Sequence, residues 1–189
     1  MKNIDDFLLT SNITVRQLRK WIKKVDDKSK EKIIDLIHHR FTNRYTKHIR
    51  NIDSGFLKMA IACLTIETLE SFKQGRKNTK GVGEKMFKDF FETEQDLFPG
   101  FKDIYKEFYA DIRCGILHQA ETTNAWRILR RDLLLDTKNK TINATKFVAA
   151  LEKSISGYVD VLKIESLDSK LWKNAILKLE DICDNCNQK

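Results

Sequence analysis

The chain has 189 residues, 41% hydrophobic and 33% charged, and a formal net charge of +8. That length can bury a core without disulfides or metals. The most apolar window, residues 56–69, still contains Lys58, Thr65, Glu67 and Thr68, so it is too short and too polar to span a bilayer.

The charge is uneven: residues 1–50 hold 13 Lys/Arg against 6 Asp/Glu, whereas 51–189 hold 22 against 21. A basic first quarter implies an acidic partner, nucleic acid being the commonest, or else a solvated lysine-rich helix face. Residues 1–6 lack the basic start and apolar centre of a signal peptide. Cys63, Cys114, Cys183 and Cys186 have no disulfide-scaffold spacing. The expectation is a cytoplasmic protein with no membrane partner.

In chain order, Thr14 is placed to cap a first helix whose apolar stripe is Val15, Leu18, Ile22 and Val25. A longer helix is predicted over 30–49, with Ile33, Ile34, Ile37, Phe41 and Tyr45 as its buried side. Arg40, Arg44, Lys47 and Arg50 decorate it and are the candidate nucleic-acid-binding residues. His38 and His39 are adjacent, so they point roughly 100° apart on a helix, which is poor chelation geometry. Residues 56–72 form the most apolar helix, with Leu57, Ala60, Ile61, Leu64, Leu69 and Phe72 as its expected stripe and Ile66 and Cys63 alongside. Glu67 and Glu70 interrupt it and are not explained by packing.

The basic loop 74–83 has glycines but lacks the Gly-Lys-Ser/Thr ending of a phosphate-binding loop. A short helix over 84–94 carries Met86, Phe87, Phe90 and Phe91. Residues 101–119 form the next helix, 126–142 read as a small β-hairpin, and Asn143 and Asp168 are placed to cap two final helices. The reading is one mainly-α domain over 1–189, a helical bundle with one hairpin insertion. Its parts are basic helices at 1–50, a central core at 51–125, the hairpin at 126–142 and C-terminal helices from 143 on. Cys183 and Cys186 have thiol-pair spacing but no second pair, so neither a metal nor a cofactor is expected.

The chemistry is expected within 108–122. Arg113 stands five residues before His118, with Gly115 between them. Histidine can move a proton near neutral pH, and arginine can hold a phosphate in a bidentate fork. Five residues on an α-helix put the two side chains roughly 140° apart, so one helix cannot easily aim both at one atom. Two copies across a two-fold axis can. Gly115 costs about 1 kcal/mol against alanine inside a helix, which calls for close approach of another helix or of a ligand. The same residues also admit a structural role: Arg113 paired with Glu67 or Glu70, and His118 buried against a backbone carbonyl.

The stretch 111–121, Asp-Ile-Arg-Cys-Gly-Ile-Leu-His-Gln-Ala-Glu, resembles the signature of HEPN domains, an arginine followed four to six residues later by histidine, late in a helical bundle. The segments 40–45, 55–56 and 66–72 also resemble members of that superfamily, and the likeness spans about residues 30–162. It implies a HEPN-like dimeric bundle that cleaves RNA without metal, typically as a toxin or defence component with a possible antitoxin or other protein partner. Arg113 would meet the scissile phosphate and His118 would transfer protons. Many active members carry a polar residue directly after the arginine. Here that position is Cys114, a weak donor, and Asp111, Gln119 and Glu121 are the nearest helpers. Some HEPN relatives are non-catalytic, so the alternative is a helical module that binds RNA or a protein.

Overall fold

Three of the helices begin at residues whose side chains cap them. At the first, Thr14 Oγ1 accepts from the Gln17 N–H (3.2 Å) and Gln17 Oε1 accepts from the Thr14 N–H (2.8 Å), a reciprocal capping box. Asn143 Oδ1 accepts the Thr145 and Lys146 N–H groups at 3.0 Å each, as its position predicts. The last helix is capped by Ser169, whose hydroxyl accepts from the Trp172 N–H, and not by Asp168 one residue earlier.

The computed structural model describes residues 4–24 and 26–186 and is mainly helical; Val25, expected on the first helix, lies outside them. In order come α1 (Val15–Lys24), α2 (Asp27–Phe41), α3 (Lys47–Ile49), α4 (Gly55–Gln74), α5 (Gly83–Thr93), α6 (Tyr105–Glu107), α7 (Gly115–Gln119), α8 (Ala144–Ile164) and α9 (Lys170–Asp184). The expected single helices over 30–49 and 101–119 are not uniform. Thr42–Thr46 joins α2 to α3, and Phe108–Cys114 joins α6 to α7, both as the wider π-helix. Such stretches are rare and concentrate where side chains must be re-aimed.

The expected hairpin is a three-stranded sheet of β1 (Arg127–Leu129), β2 (Leu135–Asp136) and β3 (Thr141–Asn143), in the order β1-β3-β2. β2 and β3 are antiparallel, joined by the polar turn the sequence suggested. β1 pairs with the other side of β3 in parallel, which a turn signal cannot reveal.

The chain packs as two units, and α2, α4 and α8 each supply residues to both. The first draws on Met1–His38, Ser71–Asn78 and Tyr158–Lys189. Its core includes Leu18, Ile37, Phe72, Leu162 and Trp172, all essentially inaccessible. The Trp172 indole donates to the Leu162 carbonyl at 2.9 Å, so the largest side chain is buried without an orphan donor.

The second unit, His39–Glu70 with Thr79–Gly157, holds a phenylalanine cluster. Phe87, Phe90, Phe91, Phe98, Phe101, Phe108 and Phe147 are all fully buried. Phe91 meets Phe108 edge to face at 5.0 Å, and Phe108 stacks on Phe147 at 5.4 Å. Phe108 opens the π-helical stretch, so this cluster anchors the segment carrying the candidate site.

One face expectation holds only in part. On α4 Cys63, Ile66, Leu69 and Phe72 are buried as expected, together with Met59 and Ala62, whereas Leu57 and Leu64 are 43% and 41% exposed. The helix is apolar around most of its circumference, so periodicity alone could not select the core side.

Candidate functional site

Arg113 sits at the end of the π-helical stretch and reaches α4. Its Nε donates to Glu67 Oε1 at 2.8 Å, with the two side chains 18% and 11% exposed. The Thr79 hydroxyl donates to the other Glu67 oxygen at 3.3 Å. The guanidinium lies over the Tyr109 ring, 5.4 Å from its centroid, and Nη1 is 3.8 Å from Cys114 Sγ. Burial works against the charge on Arg113, but the Glu67 hydrogen bond and charge outweigh it and hold its pKa above the ordinary value. The structural pairing weighed from the sequence is therefore present, and Glu67, the carboxylate in an apolar helix, was its signal. Tyr109 was missed. Gly83 lets α5 approach it: a Cβ there would come within 2.6 Å of the Tyr109 hydroxyl oxygen.

His118 is exposed on α7 and makes no hydrogen bond among the described residues. The buried histidine that the sequence also allowed is not what forms. Gln119 and Glu121 are exposed too, and Glu121 accepts from its neighbour Thr122 N–H at 2.8 Å.

Gly115 and Asp111 have local explanations. After α7 the backbone turns left-handed at Ala120 (φ 56°) and doubles back. A Cβ on Gly115 would lie 2.5 Å from the Glu121 carbonyl oxygen, so the glycine makes room for the chain's own return, and the expected second helix or ligand is not needed to explain it. Asp111, 7% exposed, is the staple for that return. Its Oδ1 accepts from the Thr123 hydroxyl and the Asn124 amide at 2.7 Å each, and its carbonyl accepts from the Thr123 N–H at 3.0 Å. A carboxylate oxygen committed to two local bonds, beside a backbone carbonyl that accepts a third, makes Asp111 a good structural residue and a poor catalytic helper.

Of the basic residues expected to meet nucleic acid, Arg44, Lys47 and Arg50 are exposed and Arg40 is half-buried. Arg50 is tied to Glu152 on α8 at 2.6 Å. Among the described residues no cluster of His, Cys, Asp and Glu is grouped to hold a metal ion, and no helix is long and apolar enough to cross a membrane. No protein-family model, curated protein or solved structure matches the chain.

Proposed function

We propose that the chain is a HEPN-like, metal-independent endoribonuclease, in which Arg113 holds the scissile phosphate and His118 transfers protons. The observation that carries the reading is how the two side chains are presented. Glu67 takes Arg113 through Nε, which fixes the guanidinium and, with Nη1 also against Cys114 Sγ, leaves Nη2 as the donor group without a hydrogen-bond partner among the described residues, while His118 stands exposed at the end of the same helical run. A guanidinium already held by one edge loses less freedom when its other edge meets phosphate oxygens.

The reaction is attack of a ribose 2′-oxygen on the adjacent phosphorus, with cleavage of the bond to the 5′-oxygen. One group must take the 2′ proton and another must supply one to the leaving oxygen. Two imidazoles suffice, so the reading includes a homodimer in which each copy gives Arg113 and His118 to a shared site. The apolar strip of exposed Leu57 and Leu64 with half-buried Ile61 between them on α4 is suited to a second copy. A cytoplasmic toxin or defence role, with a cognate inhibitor protein, belongs to the same reading.

The Arg113–Glu67 pair favours one other reading. A neutralised arginine attracts phosphate weakly, which fits a non-catalytic helical module that binds RNA or a partner protein. Incubating the purified chain with end-labelled RNA in EDTA separates the two. Cleavage leaving cyclic phosphate ends, lost in His118→Ala, supports the nuclease. Salt-sensitive binding without cleavage supports the module, and neither cleavage nor binding removes the RNA reading.

A further inference from the structure

We propose that an open pocket in the second unit, between the 130–133 turn and the first turn of α8, binds the phosphodiester backbone of single-stranded RNA. It measures about 490 Å³, and Arg130, Arg131, Leu133, Asn143, Thr145 and Lys146 line it, with Asp132 the acid on its wall. None of these residues belongs to the Arg113 and His118 site.

The pocket is fixed at the level of the backbone. Asn143, 2% exposed, donates through Nδ2 to the Asp132 carbonyl and through its N–H to the Leu134 carbonyl, both at 3.0 Å. Its Oδ1 holds the Thr145 and Lys146 N–H groups. One buried amide therefore ties the turn carrying Arg131 to the helical turn carrying Lys146. β1, which leads into that turn, is seated against the start of α4, where a Cβ on Gly55 would lie 2.9 Å from Ile128 Cγ2. Because Asn143 already occupies the Thr145 and Lys146 N–H groups, a ligand here meets side-chain charge and not free helix-end donors.

That charge is under-compensated. Arg130 is paired with Asp53. Arg131 and Lys146 are exposed and form no ion pair among the described residues. Behind the wall, Lys58 is 5% exposed, and its ammonium donates to the Arg50 carbonyl at 3.1 Å and to Thr145 Oγ1 at 3.3 Å. It has no carboxylate partner among the described residues. A buried charge without a counter-ion is costly, and an anion seated beside Thr145 offsets that cost. Arg131 and Lys146 thus share the concave surface with one carboxylate, Asp132, and Lys58 adds a buried positive charge behind Thr145. Leu133, 64% exposed, adds an apolar surface for a ribose or base. The Lys58–Arg50 bond joins the pocket to the basic run ending at Arg50, which favours a chain of phosphates over a single one.

The choice of RNA rests on the function proposed above, while the anion site does not. The test is fluorescence anisotropy of a labelled single-stranded oligoribonucleotide with the full chain in EDTA across a salt series. Each lost phosphate contact lowers the slope of log K against log salt by about 0.7, so Arg131→Ala with Lys146→Ala lowers it by about 1.4. Lys102→Ala, an exposed lysine outside the pocket, leaves it unchanged. An unchanged slope in the double variant overturns the proposal, as does a wild-type chain that binds no RNA. Equal competition by polyglutamate at matched charge, or displacement by inorganic phosphate at micromolar concentration, also overturns it. Pocket-dependent binding with no cleavage leaves the site standing and sinks the nuclease reading alone.

Discussion

Arg113 Nε lies 2.8 Å from Glu67 Oε1, joining two residues 46 apart in the sequence inside the second unit. With both side chains mostly out of water, breaking the pair from one side leaves the other charge uncompensated. Glu67→Gln and Arg113→Met are each expected to cost about 3 kcal/mol, the lower end for such pairs. The double variant is expected to cost less than the sum, with a coupling above about 1 kcal/mol in urea unfolding. Additive losses contradict a functional ion pair.

Gly115→Ala tests whether the glycine serves the chain's own turn. Helix propensity alone favours alanine by about 1 kcal/mol. The new Cβ, however, would sit 2.5 Å from the Glu121 carbonyl oxygen, a backbone atom that Asp111 helps to hold in place. Forcing the 121–123 segment outward is expected to destabilise the protein by about 1–3 kcal/mol, and limited proteolysis is expected to cut more readily near residue 122. A rise in Tm means that the glycine is not needed for the chain's return.

The helices were legible because their caps and periods are local properties: Thr14 and Asn143 act as their positions predict. The buried side of α4 was legible only in part, since Leu57 and Met59 are both apolar and only tertiary packing separates them. The pairing of Arg113 with Glu67 or Glu70 was open to the sequence, but which carboxylate it meets depends on how the 108–119 run is rotated, and the π-helical stretch in that run leaves no mark in the period. The basic pocket was missed for a similar reason. Arg131 and Lys146 belong to different predicted elements, and only the bonds of buried Asn143 bring their backbones together.

Thiol chemistry offers an independent check on α4. Cys63 and Cys183 are buried, whereas Cys114 and Cys186 are partly accessible. Burial pushes the Cys63 thiol well above its ordinary range, which keeps it protonated and unreactive. Native protein treated with iodoacetamide at pH 8 is expected to gain label at Cys114 and Cys186 only, with all four labelled in urea. Peptide mass spectrometry reads the outcome directly. Rapid native labelling of Cys63 means that Met59, Cys63 and Ile66 do not form the core face.

His118 and Arg113 are separable by stability, and that decides how their variants are read. His118 is exposed and makes no hydrogen bond among the described residues, so His118→Ala is expected to change stability by less than about 0.5 kcal/mol. Arg113 variants lose the Glu67 bond and the contact over Tyr109, so any loss of activity in them mixes fold with chemistry. The informative variant is therefore the histidine. If RNA cleavage falls at least a hundredfold in His118→Ala at unchanged Tm, the loss belongs to proton transfer, for which such factors are ordinary. Cleavage that persists in this variant removes His118 from the mechanism whatever the arginine does.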